Sequence, residues 1–294
     1  MNLRAVNDLV FDLQAHSTHS DGSLPAAAVV AHAAAAGVEL FALTDHDTVG
    51  GVDEAIRVAD GLGLRVLPAA ELSAVHGRCE DLHVLGYGIS HADPLLRTRL
   101  LAARGDRELR LERMCERLIE LGWAIEHESL DYRRHNGEPV GRPHLAAAVI
   151  AHPANARRLA HEGHATAGAF LVAYLLPGKP AHVARTLPTV TQAIGWIHDA
   201  GGVAVWAHPF WDVQNATEVA AALEAFRDAG LDGVEAFYVA HNAVQTRFLV
   251  EQADALDLVT TGSSDFHGPD HPIFSRMRAF SLHGHEPRLG VLAR

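Results

Sequence analysis

Apolar runs too short to be helices alternate with helix-patterned segments along most of this chain, which restricts it to β/α units built on a parallel sheet. Val10 to Ala15 reads as a first strand, Leu40 to Leu43 as a second and Leu64 to Ala70 as a third, with a further strand near Leu82 to Tyr87. Between them, Pro25 opens a helical run from Ala26 to Ala36 that Gly37 stops, and Asp53 to Leu62 reads as a second helix. The rhythm returns after Pro188. A helix near Thr191 to Ala200 precedes a strand at Val203 to Ala207, and a helix around Thr217 to Ala229 precedes a strand at Gly233 to Tyr238. A helix at Ala243 to Ala255 and a strand at Leu258 to Thr261 complete the series. Roughly six or seven such units predict a barrel or barrel-like sheet. From about Pro94 to Pro180 the pattern changes to Arg- and Ala-rich helices, with Leu100, Leu101, Leu111, Met114, Leu118 and Leu121 at helical spacings, as expected of an inserted helical domain.

Candidate ligands recur just after strands, where α/β enzymes build their active sites. Gln14-Ala15-His16-Ser17-Thr18-His19-Ser20-Asp21-Gly22 follows the first strand, and Thr44-Asp45-His46-Asp47 follows the second. Glu71 follows the third, and His83 sits within the next. His208-Pro209 and Asp265-Phe266-His267 follow two later strands. Acids and imidazoles gathered from so many strands would repel or desolvate one another without a cation among them. Mixed nitrogen and oxygen donors without thiolate suit Mn²⁺, Zn²⁺ or Fe²⁺ better than Ca²⁺, and a bridging carboxylate such as Glu71 is what closely spaced metal pairs require. Such sites polarise a phosphoryl oxygen and activate water at neutral pH.

Composition narrows the function classes. The net charge of -12 argues against a broad duplex-binding face, while leaving room for a small anionic substrate. No stretch approaches the roughly 20 apolar residues that span a bilayer, so the expectation is a cytoplasmic protein with no membrane partner. Cys79 and Cys115 form no C-x-x-C pattern, which points away from a thiolate zinc site or a disulfide framework. The unusual number is 21 histidines, a residue better suited to metals and proton transfer than to packing. Asp45 and Ser17 read as capping or core polar groups, and Asp47 as orienting the His46 loop. His19, His32, His76, His91, His127, His152, His161 and His164 read as surface or structural residues.

These motifs resemble those of the PHP family, named for its polymerase and histidinol phosphatase members. The family's opening D-L-H-x-H-S-x-x-S-D-G stands here as Asp12 to Gly22, its T-D-H-D as Thr44 to Asp47 and its G-x-E-like strand end as Ala69 to Glu71. H-x-L-G is His83 to Gly86, A-H-P is Ala207 to Pro209 and S-D-x-H is Ser264 to His267. The resemblance covers about residues 9 to 93 and 188 to 285. It implies an α/β fold, a distorted (β/α)7 barrel of residues 1–93 and 188–294, with 94–187 as an inserted helical substrate-specificity domain. It also implies two or three divalent ions at the C-terminal mouth, Mn²⁺ first, with Zn²⁺, Fe²⁺ and Mg²⁺ as alternatives. By position, His16, Glu71 and Asp265 would hold one ion, Glu71, His83 and His208 a second, and Asp21, His46 and His267 a third. Gln14 departs from the pattern: it stands where the family has its first histidine, and an amide oxygen is a weaker ligand, so the first ion would be held less firmly.

The insertion should decide the substrate. Arg97, Arg99, Arg104, Arg107, Arg110, Arg113 and Arg117 alternate with Asp106, Glu108, Glu112 and Glu116, a spacing that predicts a solvated, ion-paired face with some arginines turned to the barrel mouth. Arg133-Arg134-His135, Gly141-Arg142-Pro143-His144 and Gly178-Lys179-Pro180 add basic residues in Gly/Pro-punctuated loops. The expected substrate contacts are Arg104, Arg107, Arg134, His135, Arg142, His144 and Lys179. Gly-Arg-Pro-His and Gly-Lys-Pro resemble the stand-alone bacterial subgroup of nucleoside 3′,5′-bisphosphate phosphatases and 5′-to-3′ oligoribonucleotide exonucleases. That implies a nucleotide-binding phosphatase removing the 3′-phosphate of a substrate such as adenosine 3′,5′-bisphosphate, with Asp265, His208 and His267 as the proton-transfer candidates. The partner would be a small nucleotide or short RNA, and no duplex DNA. A histidinol-phosphate or other small-molecule phosphatase, an exonuclease, and a degenerate metal- or nucleotide-binding module that is no enzyme stay open as alternatives.

Overall fold

The computed structural model describes residues 9–135, 140–185 and 188–294. In chain order these form β1 (Phe11–Asp12), α1 (Ala26–Ala35), β2 (Leu40–Leu43), α2 (Val52–Ala59), β3 (Arg65–His76), β4 (Cys79–Tyr87) and α3 (Pro94–Glu120). Four helices follow, α4 (His127–His135), α5 (Arg142–Ala151), α6 (Ala156–Glu162) and α7 (Ala167–Tyr174). The chain then returns to α8 (Val190–Asp199), β5 (Val203–Trp206), α9 (Pro209–Asp212), α10 (Ala216–Asp228), β6 (Gly233–Tyr238), α11 (Ala243–Ala255) and β7 (Val259–Ser263). Two compact units result, one from Met1–Leu101 with Pro188–Arg294 and one from Ala102–Leu187. No helix among the described residues is long and apolar enough to cross a membrane.

The first unit is a nearly closed α/β barrel of seven strands in sequence order. β1, β2 and β3 pair in parallel, as do β5, β6 and β7. The all-parallel expectation fails at β4, which pairs antiparallel with both β3 and β5. Only a short turn separates β3 from β4, far less than a parallel crossover needs, and Gly77 in it takes φ +58°. The two sides of the barrel meet where Leu13 N donates to Gly262 O at 3.2 Å and Ala15 bridges Phe266 in parallel.

Strand periodicity separates the interior from the outer layers. Leu40 and Ala42 turn inward with Leu13, Ala69, Leu85, Tyr87, Val205 and Ala207. Phe41 and Leu43 turn outward onto Val29, Val30 and Ala33 of α1 and Ala55 and Ala59 of α2. On the other side, Leu72, Val84, Trp206 and Val234 pack with Ile194 and Ile197 of α8, Leu223 of α10 and Leu249 of α11. With both faces covered, β2 is buried throughout, which is why it reads as an unbroken apolar run.

The second unit has its own core around Met114, Leu118, Trp123, Leu145, Val149 and Phe170. Trp123 meets Phe170 edge-on at 5.0 Å, and the Arg158 guanidinium lies 3.9 Å from the Trp123 ring. One correction concerns the arginine series: Arg110 is buried, with its Nε donating to Val183 O at 2.7 Å, and Arg117 donates to His182 O. Both anchor backbone within this unit, but only Arg110 leaves the solvated face, since Arg117 stays exposed.

Candidate metal centre

Glu71 is the hub of the site. It faces inward from the middle of β3 rather than following the strand, because β3 continues to His76, and it is completely buried. Its Oε1 lies 2.9 Å from His83 Nδ1 and 3.2 Å from His208 Nε2. Its Oε2 lies 3.1 Å from His16 Nε2 and 3.6 Å from His46 Nδ1. His83 reaches this mouth from inside a strand because β4 runs backwards, so its early residues lie beside the late residues of β3: Ser73 pairs with His83. His16 Nε2 is also 3.1 Å from Asp265 Oδ1, and Asp21 lies 3.5 Å from each of His16, His46 and His267.

The structure brings the expected His, Asp and Glu side chains to one place, with two groupings shifted: His46 stands with Glu71 and His83, and His16 joins Asp21, His46 and His267. Ligand atoms of His16, Glu71 and Asp265 lie within 4.8 Å of one another, as do those of His46, Glu71 and His83, and those of His16, Asp21, His46 and His267. His208 joins the second set, its Nε2 3.4 Å from His83 Nδ1. Gln14 is different. Its Nε2 donates to Glu71 Oε2 at 2.9 Å, so the amide nitrogen, which cannot ligate, is what faces the cluster.

The donor set fits divalent cations. His16 Nε2, His46 Nδ1 and Asp265 Oδ1 are buried without a properly aligned hydrogen bond, although charged or polar neighbours stand close by. Burial alone would strip His16 of its proton, but Asp265, Glu71 and Asp21 raise its proton affinity well above the ordinary histidine value. Burial likewise opposes charge on Glu71, yet the surrounding histidines hold its carboxyl well below the usual range. Without metal, protons supply the positive charge these carboxylates require, and cations would replace them.

Surrounding residues fix this arrangement. Asp45, read as structural, accepts from Ser17 N at 2.7 Å, Ser17 Oγ at 2.7 Å and Ser20 Oγ at 2.7 Å, tying the first ligand loop to the second. Asp47 does orient its loop: its N–H donates to Glu71 O at 2.8 Å and its Oδ1 accepts from Ser73 N at 2.9 Å. Gly22 has no room for a side chain, since a Cβ there would meet His16 O at 2.2 Å. His208 and Asp265 take φ +28° and +53°, left-handed backbone of the kind held at functional sites.

Four residues escaped the sequence reading. Asp212 Oδ2 lies 3.5 Å from His208 Nδ1, a pairing legible from their spacing of four. Tyr238 donates its hydroxyl to Asp265 Oδ2 at 2.8 Å. Glu235, under the site, accepts from His208 N at 2.9 Å and Ser263 Oγ at 2.6 Å, and burial pushes its carboxyl up to about 8. A charged residue at an inward position of an apolar strand was the signal for Glu235. Ser263 completes the chain, 3.3 Å from Gln14 Oε1.

The expected substrate contacts all lie in the second unit or at its start. Arg104 and Arg107 are half-buried on α3, and Lys179 is exposed after α7. Arg134 pairs with Asp131 at 3.1 Å, and His135 Nδ1 lies 2.7 Å from Asp131 O. Arg142 opens α5, where His144 Nδ1 accepts from Gly141 N at 3.1 Å. A cavity of this unit is bordered by Glu126, Tyr132, Arg133 and His144, so His144 is the expected contact found on it.

A barrel mouth carrying buried carboxylates and imidazoles around one central glutamate is the kind of site found in metal-dependent hydrolases. The PHP domain profile matches residues 12–121. The chain is 34% identical over 260 residues to the 3′,5′-nucleoside bisphosphate phosphatase of Chromobacterium violaceum, covering 88% of this chain and 87% of that protein. It is 30% identical over 259 residues to a 5′-3′ exoribonuclease of Haemophilus influenzae, covering 88% and 90%. A metal-dependent phosphoesterase from Bifidobacterium adolescentis superposes with TM-score 0.72 at 25% identity, covering 96% and 93%. The chain belongs to the PHP domain family, and it is a hydrolase acting on phosphoesters.

Proposed function

We propose that this protein removes the 3′-phosphate from nucleoside 3′,5′-bisphosphates, releasing the nucleoside 5′-phosphate and inorganic phosphate. The observation that carries the reading is Glu71, whose two oxygens face separate histidine sets, Oε1 toward His83 and His208 and Oε2 toward His16 and His46. A carboxylate so placed suits a pair of ions on one phosphoryl group. The named activity of the Chromobacterium relative supports the substrate.

His16, Asp21, His46, Glu71, His83, His208, Asp265 and His267 would hold the ions, with Mn²⁺ the first expectation for this mixture of imidazole and carboxylate. When bound, the cations would neutralise the phosphoryl oxygens and lower the pKa of water toward neutrality. In the hydrolysis, a water oxygen bonds to phosphorus and gives up a proton, the bond from phosphorus to the 3′-oxygen breaks, and that oxygen takes a proton up. Asp265, His208 and His267 are the residues assigned to this proton transfer. Tyr238 fixes Asp265 Oδ2, and the contact between His267 Nδ1 and Asp265 O, 2.6 Å, directs His267 Nε2 toward Asp21.

Phosphate release from adenosine 3′,5′-bisphosphate, 3′-AMP and histidinol phosphate, with Mn²⁺ supplied, tests the reading. The bisphosphate should have the highest kcat/KM, and equal efficiency on 3′-AMP would rule out a requirement for the second phosphate. The Haemophilus relative motivates a second reading, stepwise exonuclease action on short RNA. That reading predicts mononucleotide release from a short oligoribonucleotide, declining steeply with salt.

A further inference from the structure

We infer that Trp211, backed by Phe274, forms an aromatic shelf beside the metal centre on which a flat ring of the substrate stacks. In the nucleotide reading proposed above, on which this inference rests, that ring is the nucleobase. Trp211 is 47% exposed, and no other Phe, Tyr or Trp among the described residues of the barrel unit is comparably exposed. Single exposed apolar side chains are ordinary on protein surfaces, but this indole is the outer member of a continuous series of rings. It lies 5.6 Å from Phe274, edge to face, and 6.4 Å from Tyr238. Phe274 in turn lies 5.3 Å from the ring of His267, and Tyr238 lies 5.2 Å from that of His208. His271 stacks on Phe274 at 4.9 Å and 15°.

The backbone fixes the shelf to the ligands. Trp211 N donates to His208 O at 2.8 Å, three residues along the chain, and His267 N donates to Phe274 O at 2.9 Å. The two aromatic residues are thus anchored to the two histidines assigned to phosphoester chemistry. A planar group next to the scissile phosphate would find an indole face one ring away. Phe274 is buried behind the indole, and Trp211 offers aromatic surface with a single N–H donor, too little to distinguish base edges, so the shelf should hold any base while preferring a base to none.

The test compares kcat/KM for adenosine 3′,5′-bisphosphate with that for ribose 3,5-bisphosphate, which lacks the base. Wild-type protein should prefer the nucleotide by about tenfold or more, the scale of one aromatic–base stack. Trp211→Ala should bring the ratio close to one, and Trp211→Phe should restore most of it. An unchanged ratio in Trp211→Ala overturns the shelf. If neither bisphosphate is hydrolysed, the nucleotide reading has failed, and the shelf is then judged on phenyl phosphate against an alkyl phosphate. A Trp211-dependent preference for the aryl ester sustains it, and equal treatment of the two esters overturns it.

Discussion

The side-chain nitrogen of Gln14 donates a 2.9 Å hydrogen bond to Glu71 Oε2, and both residues are completely buried. Because a carboxylate only accepts, this contact fixes which end of the amide meets the cluster. The amide oxygen is left toward Ser263 Oγ, 3.3 Å away, which also contacts Glu235. Gln14 therefore holds the Glu71 carboxylate and turns its amide nitrogen, which is no ligand, toward the cluster.

Replacing that amide should alter the metal content. Gln14→His restores a nitrogen donor, and isothermal titration with Mn²⁺ should show tighter binding at the site of His16, Glu71 and Asp265. Gln14→Met removes the donor to Glu71 without adding a ligand and should weaken binding. Equal affinities in all three proteins would show that Gln14 does not act on the cations at all.

Asp212 should set the affinity of the ion held by His208. Its Oδ2 and His208 Nδ1 are buried, lie 3.5 Å apart, and neither has an aligned hydrogen bond. Carboxylates placed behind ligating histidines typically contribute 10- to 100-fold to metal affinity. A loss of about that size is expected for Asp212→Ala in competition with a chromophoric chelator, and Asp212→Asn should recover much of it. Wild-type affinity in Asp212→Ala would refute the pairing.

Chelation should abolish phosphate release and also lower the melting temperature. An ion present at 100 times its Kd stabilises the folded state by about 2.7 kcal/mol. Re-addition of Mn²⁺ should restore both. Asp265→Ala should remain inactive after re-addition, while Tyr238→Phe, which loses one hydrogen bond to Asp265, should retain about a tenth of the rate.

Acid should destabilise the barrel partly through His241. This side chain is buried among Tyr238, Phe210 and Ala236 O, and burial lowers its pKa to about 4. The unfolded chain binds a proton near the ordinary value of about 6.5 that the folded chain refuses until about 4. Stability contributed by neutral His241 is therefore intact above that window and declines as pH falls through it, by up to about 1.4 kcal/mol per pH unit. Denaturant melts of wild type and His241→Phe across this range should show a shallower slope for the variant.

Most of the barrel was legible because strands covered on both sides announce themselves as apolar runs, as Leu40–Leu43 does. The ligands were legible because they stand beside such runs in recognisable groupings. Asp212 and Glu235 were missed although each carried a local signal, whereas nothing local marked Tyr238 or Ser263, whose partners are 27 and 28 residues away.

By itself, the sequence determined the α/β class, the helical character of the insertion and the identities of the clustered acids and histidines, since these follow from hydrophobic period and residue chemistry. The tertiary structure decided three further things: the reversal of β4 that carries His83 to the mouth, the direction of the Gln14 amide, and the joining of Trp211 and Phe274 into one aromatic surface. The last two depend on groups that meet only after the sheet has curled almost closed, and residue spacing along a chain carries no record of such meetings; the first follows from β3 running on to a tight turn at Gly77, which the apolar run ending at Ala70 did not reveal.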